Sequence, residues 1–267
     1  MPELPDVQVL REYVDATSLH KRIEDVDVIS DYILKDVSSS GLSSGLRNHQ
    51  FKSTERHGKF LFILLEYGRF LVLHFGMSGS LKYYKLEDNV VLPDYSQVHF
   101  DFENGYRLSL IMPRKLGEVR LLDDMQSFIK QRGLGPDVSA DDFTFEKFKD
   151  LLAGRRGMIK STLMNQEIMA GVGNVYSDEI LFQARVHPKA KVNELDRSTL
   201  RRIFDCLKDV LNTLVETHME RDQLPRNYLL PVREEGEKCP YCHGEVKNIK
   251  VSGRSAYYCP ACQQMPD

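Results

Sequence analysis

Two Cys-x-x-Cys pairs restrict how this chain can fold more than any other feature. Cys239-Pro-Tyr-Cys242 and Cys259-Pro-Ala-Cys262 stand sixteen residues apart. Two knuckles at that spacing offer four thiolates in a tetrahedron with no open position, which suits one structural zinc ion. A redox-active pair needs one such motif in a βαβ setting, and the surrounding residues do not supply one. The remaining cysteine, Cys206, lies on the apolar side of a helical stretch and reads as a small core hydrophobe. The cysteines thus argue for a metal site, not a disulfide framework. Between the knuckles, Lys247, Lys250 and Arg254 face one acid, Glu245. A hairpin with Arg254 at its tip can push a guanidinium at a phosphate, and a solvated charged face is the equal alternative.

A chain of 267 residues with 42% hydrophobic content can bury a core and divide into two domains. No apolar run approaches the 18 or so residues of a membrane span, and no signal-peptide core follows Met1. A soluble, cytoplasmic protein is expected, with no membrane partner. The net charge of −3 argues mildly against a polyanionic partner. Binding to phosphates depends on where basic groups cluster, so net charge decides little.

From Pro5 to Ala16, Val7, Leu10 and Val14 recur at helical spacing. Residues 22–122 read as short strands. Lys59–Leu65 and Phe70–Phe75 are apolar runs broken by Tyr67-Gly68, and alternation resumes at Tyr106 after an Asn104-Gly105 turn. A two-sheet sandwich is expected there. Lys130–Asp137 is rich in Gly and polar residues and reads as a linker. Helices follow over Phe143–Leu152, Ser161–Asn165, Val175–Gln183 and Leu200–His218, the last capped by Asp196 or Ser198. The fold class is α+β: a catalytic sandwich domain with a leading helix over 1–126, a hinge over 127–137, a helical domain over 138–234 and a zinc finger over 235–267.

Two segments carry chemistry. Met1 is readily trimmed before a small residue, which would leave Pro2 with a free secondary amine of α-amino type, a nucleophile at neutral pH. A frayed, proline-marked terminus is the bland alternative. The second segment is Lys160–Gln166 followed by Ala170-Gly171-Val172-Gly173-Asn174-Val175-Tyr176. Two glycines before a helix start expose backbone N–H groups to an anion. With Arg155, Arg156 and Lys160 nearby and Asn174 as cap or donor, the segment reads as a clamp on a phosphate backbone.

MPELPDV at the start, HGKF around Lys59, HFGMSGSL at 74–81, LGPD at 134–137, NQEIMAGVGNVYSDEILF at 165–182 and the terminal CPYC…GRSAYYCPAC together resemble the formamidopyrimidine-DNA glycosylase and endonuclease VIII family, over the whole length. The resemblance implies a β-sandwich with its leading helix, a hinge, a helix–two-turn–helix domain and a zinc finger. It also implies a bifunctional DNA glycosylase and abasic-site lyase of base-excision repair, with damaged duplex DNA as partner, no obligate protein partner and a monomeric, nucleoid-associated state.

By that resemblance Pro2 attacks C1′ and expels the base, and Glu3 protonates O4′ as the sugar opens. Lys59 supplies a fixed positive charge at the substrate. Lys160, Asn174 and Arg254 hold the phosphates flanking the extruded nucleotide, Arg254 also belonging to the catalytic set. Met77 fills the vacated space in the duplex and Arg114 faces the opposing base. β- then δ-elimination follows from the imine. Cys239, Cys242, Cys259 and Cys262 hold zinc.

The chain departs from the family pattern in three places. Asp6 replaces a glutamate. Met112-Pro113-Arg114-Lys115-Leu116-Gly117 stands for Asp-Pro-Arg-Arg-Phe-Gly, with Leu116 in place of an aromatic wedge. Thr217–Val232 lacks the Gly-Tyr-Phe loop that caps oxidised guanine. Ring-opened purines and abasic sites are therefore expected as better substrates than 8-oxoguanine. Removal of oxidised pyrimidines in the manner of endonuclease VIII, a damage-binding protein without chemistry, and an interaction module built on the zinc knuckles are the alternatives. His57 and His74 read as satisfied structural histidines.

Overall fold

Phe60–Leu65 (β3) is apolar without interruption because both of its faces are covered. Its Leu61, Ile63 and Leu65 enter the core between two sheets, whereas Phe60 and Phe62 point the other way, toward Phe128 at 5.3 and 5.8 Å between ring centroids. Phe128 lies on a helix, Met125–Gln131 (α3), capped by the Asp124 carboxylate, which accepts from Ser127 N at 2.6 Å. The expected linker at 127–137 therefore begins inside a helix. A buried phenylalanine and an acidic cap hold helix where composition suggested loop, and irregular backbone starts only at Arg132.

The protein is described by a computed structural model covering residues 2–87 and 91–265. The expected trimming of Met1 concerns a residue outside the described range. Two compact units divide the chain, one of Asp6–Arg132 with Pro2, the other of Gly133 onward with Glu3–Pro5.

The first unit holds two four-stranded antiparallel sheets. One contains Ile23–Val28 (β1), Ser96–Phe102 (β6), Tyr106–Ile111 (β7) and Ser80–Lys85 (β5) in that order. The other contains Phe51–His57 (β2), β3, Phe70–His74 (β4) and Glu118–Leu122 (β8). Phe51 of the second sheet meets Phe100 and Phe102 of the first edge to face at 5.9 and 6.0 Å, so the sheets pack as the expected sandwich. Val7 and Val14 of the leading helix, Leu4–Thr17 (α1), complete this core with Leu42 and Leu46 of Ser39–Leu46 (α2). The helix α2, rich in serine and glycine and capped by Ser38, falls in a stretch expected to be strand.

The second unit is helical: Phe145–Leu152 (α4), Ile159–Leu163 (α5), Asn174–Gln183 (α6) and Arg197–Glu216 (α7). The α7 stripe Ile203, Phe204, Leu207, Val210, Leu211 and Leu214 is buried, and Asp196 is the cap. Leu4 belongs to this core. The chain ends in a hairpin of Lys247–Val251 (β9) and Arg254–Tyr258 (β10). No helix among the described residues is long and apolar enough to cross a membrane.

Candidate functional site

In the helical unit the Glu3 carboxylate is almost wholly buried and accepts three backbone N–H groups: Gly173 at 2.7 Å, Val175 at 2.8 Å and Tyr176 at 3.3 Å. Those are the orphan donors at the start of α6, where the helix dipole also favours negative charge. A residue from the other end of the chain thus caps this helix, and three donors favour the ionised carboxylate. The expectation that the glycine-flanked turn holds a phosphate needs correcting. The N–H groups of Gly173, Val175 and Tyr176 are already committed to Glu3 and that of Gly171 to Gln166, and a Cβ on Gly173 would stand 2.3 Å from Glu3 Cδ. Gly171, with φ +125°, takes a conformation that suits glycine, and its carbonyl accepts from Leu4 N at 3.1 Å. Gln166 fixes this loop: its Nε2 donates to the carbonyls of Met164 and Val172, and its Oε1 accepts from Gly171 N.

Lys160 also requires correction as a phosphate ligand. It is fully buried, its ammonium donating to Asn174 O and Ser177 Oγ at 2.9 Å and to Asp178 Oδ1 at 2.6 Å. Three acceptors use its three N–H bonds, so nothing remains for DNA. Burial lowers its pKa, opposed by the Asp178 charge. The other Asp178 oxygen takes Arg233 Nε and Nη2 at 3.0 and 2.7 Å. Asn174 is the first residue of α6, with Gly173 in the cap position. Its Oδ1 is buried without a partner among the described residues.

Arg254 opens β10, directly after the Ser252-Gly253 turn, and is exposed as the hairpin reading expected. It lines a recess of about 250 Å³ with Ser161, Met164 and Asn165, and Ser161 Oγ lies 2.7 Å from Ser252 Oγ. The hairpin tip is thereby set against α5. Behind it the four cysteine sulfurs lie within 4.8 Å of one another. Cys239 and Cys262 are 3.8 Å apart and Cys242 and Cys259 3.4 Å, far beyond a disulfide. Tetrahedral ligation at a Zn–S distance of about 2.3 Å puts sulfurs roughly 3.8 Å apart, so the four fit one zinc ion, which would staple both knuckles.

Val175 and Tyr176, whose N–H groups hold Glu3, also line a cavity of about 380 Å³ with Met219, Leu230, Pro231 and Arg233. The side chains closing it were not singled out in the sequence. Neither were Asp178 and Glu179, which the sequence does mark: adjacent acids inside an otherwise apolar helical run.

In the sandwich unit, Lys59 occupies the second position of the tight turn joining β2 to β3, after Gly58 at φ +56°. Its stem is buried, and its charge joins burial in pushing His74 down to about 4. His74 is therefore neutral at pH 7, its Nδ1 accepting from Gly76 N at 3.3 Å, the structural role expected. At the same end of the sandwich Met77 and Leu116 are exposed side chains, and Arg114 Nη1 lies 3.6 Å from Met77 Sδ. Gly76 permits this meeting of loops: a Cβ there would fall 2.5 Å from the Leu116 carbonyl carbon. Pro2, half-buried, belongs to this unit.

Three family models match the chain: the formamidopyrimidine-DNA glycosylase N-terminal domain over residues 1–119, the formamidopyrimidine-DNA glycosylase H2TH domain over 134–223, and the zinc finger found in FPG and IleRS over 236–264. A formamidopyrimidine-DNA glycosylase of Symbiobacterium thermophilum is 31% identical across the whole chain and 90% of its own length. One of Prochlorococcus marinus is 31% identical over 99% of this chain and all of its own. Among solved structures, the Lactococcus lactis enzyme in complex with N7-benzyl-Fapy-dG DNA superposes with a TM-score of 0.89 at 25% identity, over 98% of this chain and 100% of that one. The same enzyme bound to DNA containing an abasic site gives 0.87 at 25% identity with the same coverage.

Proposed function

The chain belongs to the formamidopyrimidine-DNA glycosylase family of base-excision repair enzymes, and from that premise we propose that Pro2 is its nucleophile and Glu3 its proton carrier. The observation that carries this reading is the seat of Glu3: the α6 turn that pins its carboxylate also walls a cavity. An extruded base in that cavity sits beside an acid covalently joined to the attacking amine. Extrusion costs a few kcal/mol.

The Pro2 nitrogen gives its lone pair to C1′ while the glycosidic bond breaks toward the base, which takes up a proton from water. The new ammonium then passes its proton to the Glu3 carboxylate, which delivers it to O4′ as the C1′–O4′ bond breaks and C=N⁺ forms. The three N–H groups that meet the Glu3 carboxylate suit this order, in which it first receives the proton that it then donates. Water takes a C2′ proton as the C3′–O bond to the 3′ phosphate breaks, then a C4′ proton as the C5′–O bond to the 5′ phosphate breaks, and hydrolysis of C=N⁺ frees Pro2 and releases the sugar remnant as an aldehyde. Lys59 and Arg254 supply cationic stabilisation to the departing phosphates. Asn174 contacts a phosphate once its amide presents Nδ2, since a phosphate only accepts. Met77 and Leu116 fill the gap in the stack and Arg114 meets the opposing base. The four thiolates hold zinc, which fixes the hairpin that carries Arg254.

Ring-opened purines and abasic sites are the proposed substrates, with 8-oxoguanine slower, because the 217–232 segment is short. One chain acts alone, at the nucleoid where its substrate lies. Borohydride trapping on an abasic duplex, with mass spectrometry of the adduct, tests the nucleophile: the strand must be found on Pro2. Pro2→Gly should keep duplex affinity and lose most base excision, and equal activity would refute the assignment.

A further inference from the structure

Two neighbouring acids on α6 are buried in succession, and they grip the same stretch of chain. Asp178 takes Arg233. Glu179, fully buried, accepts from Leu230 N at 2.8 Å and Leu229 N at 3.2 Å. Leu230, Pro231 and Arg233 line the same cavity as Val175 and Tyr176, whose N–H groups hold Glu3. This wall is a single short 3-10 turn, Leu230–Val232, whose first N–H groups have no partner within the turn, so its position depends on what those groups meet.

The grip extends to the finger. Gln183 Nε2 donates to Glu179 Oε1 at 2.7 Å and to Asn227 O at 3.1 Å, while Gln183 Oε1 accepts from Tyr241 OH at 2.7 Å. Tyr241 is the residue before Cys242 within the first knuckle. Arg233 adds a second link, its guanidinium 4.5 Å above the Tyr257 ring of β10. One helix therefore seats the acid with its first turn and the cavity wall with its second, and the wall is joined to the metal knuckle.

We propose that Glu179 is a positioning residue for base excision, holding Leu229 and through it the Leu230–Pro231 wall of the base cavity in register with Glu3, and tying that wall through Gln183 and Tyr241 to the zinc knuckle. The proposal rests on the reading that this cavity takes the extruded base. It separates two activities of one enzyme. A base-bearing nucleotide needs the wall, whereas an abasic sugar has no base to seat.

Glu179→Gln preserves shape and volume but turns an amide group toward backbone donors, which leaves at least one of them without an acceptor. In single-turnover assays with zinc-loaded full-length protein, excision from a duplex with one ring-opened purine should fall about tenfold or more, the equivalent of one buried donor left without an acceptor. Strand cleavage at a preformed abasic site should stay within about twofold of wild type. Tyr241→Phe should give a smaller loss with the same asymmetry. Amide hydrogen exchange provides the reading independent of catalysis: Leu229 and Leu230 should lose protection in Glu179→Gln while Val175 and Tyr176 keep theirs. Equal loss on both substrates, loss on neither, or unchanged exchange at Leu229 and Leu230 would overturn the proposal. Wild-type protein that cuts abasic duplexes but never excises a base would instead overturn the cavity assignment, and the exchange measurement would still decide the clamp.

Discussion

Replacing Gly173 with alanine probes the seat of Glu3 at the point of closest approach. Gly173 has φ −126° and ψ −156°, extended backbone that alanine also adopts, so the substitution brings little torsional strain. The added Cβ would instead stand 2.3 Å from Glu3 Cδ and 2.4 Å from Oε1. Restoring a carbon contact of roughly 3.5 Å moves the carboxylate by about 1 Å. Hydrogen bonds of 2.7 and 2.8 Å then stretch beyond the usual limit of about 3.2 Å. Water can re-solvate the freed N–H groups, so the stability loss should resemble that of a missing helix cap, about 1–2 kcal/mol. With Glu3 as the proposed proton carrier, a displacement of that size costs about a hundredfold in rate. Single-turnover excision from a duplex with one ring-opened purine measures the rate, and urea denaturation measures the stability. A Gly173→Ala enzyme within about threefold of the wild-type rate (roughly 0.6 kcal/mol) would refute the idea that this glycine exists to admit the carboxylate.

Lys160 and Arg254 should part company in a salt series. Lys160→Met strips Asp178 of a buried partner and should cost about 3–5 kcal/mol of stability, leaving the slope of log affinity against log salt as it is. Arg254→Ala should leave stability unchanged and lower that slope by about 0.9, one phosphate's worth. A changed slope in the Lys160 variant would contradict its burial. Glu179 makes stability depend on pH. Burial, aided by the Asp178 charge, raises its carboxyl from 4.5 to about 7 against the three donors that favour the anion. The folded state then holds a proton that the unfolded chain has released, so stability is greatest below about pH 4.5 and falls as pH rises through about 7, by roughly 3 kcal/mol in total. Glu179→Gln should lack that decline. Parallel pH profiles of the two proteins in urea denaturation would rule out the raised carboxyl.

How much of this was legible beforehand varied with the kind of signal. The sandwich, the α7 stripe and the two knuckles rest on periodicity and spacing, which the sequence carries openly, and the structure reproduces them within a residue or two at most ends. The helix α3 was hidden because, apart from its Asp124 cap, it is held by one phenylalanine whose partners, Phe60 and Phe62, lie more than sixty residues earlier. At the candidate site the residue types were visible but not their partners. Lys160 looked like a DNA ligand because a lysine near glycines suits a phosphate. Its true acceptor, Asp178, sits eighteen positions on, and the exposed turn it seemed to serve is filled from residue 3. Side-chain pairs across such separations leave no trace in local pattern. Adjacent acids within an apolar helix were the available warning, since buried carboxylates demand partners.

The long reach between residue 3 and residue 173 also bears on how the chain folds. The contact spans 170 positions, and closing so long a loop carries a large entropic cost, so it should form late, after the local turns and hairpins of each unit. A chain cut short before α6 would leave the Glu3 carboxylate without its three donors.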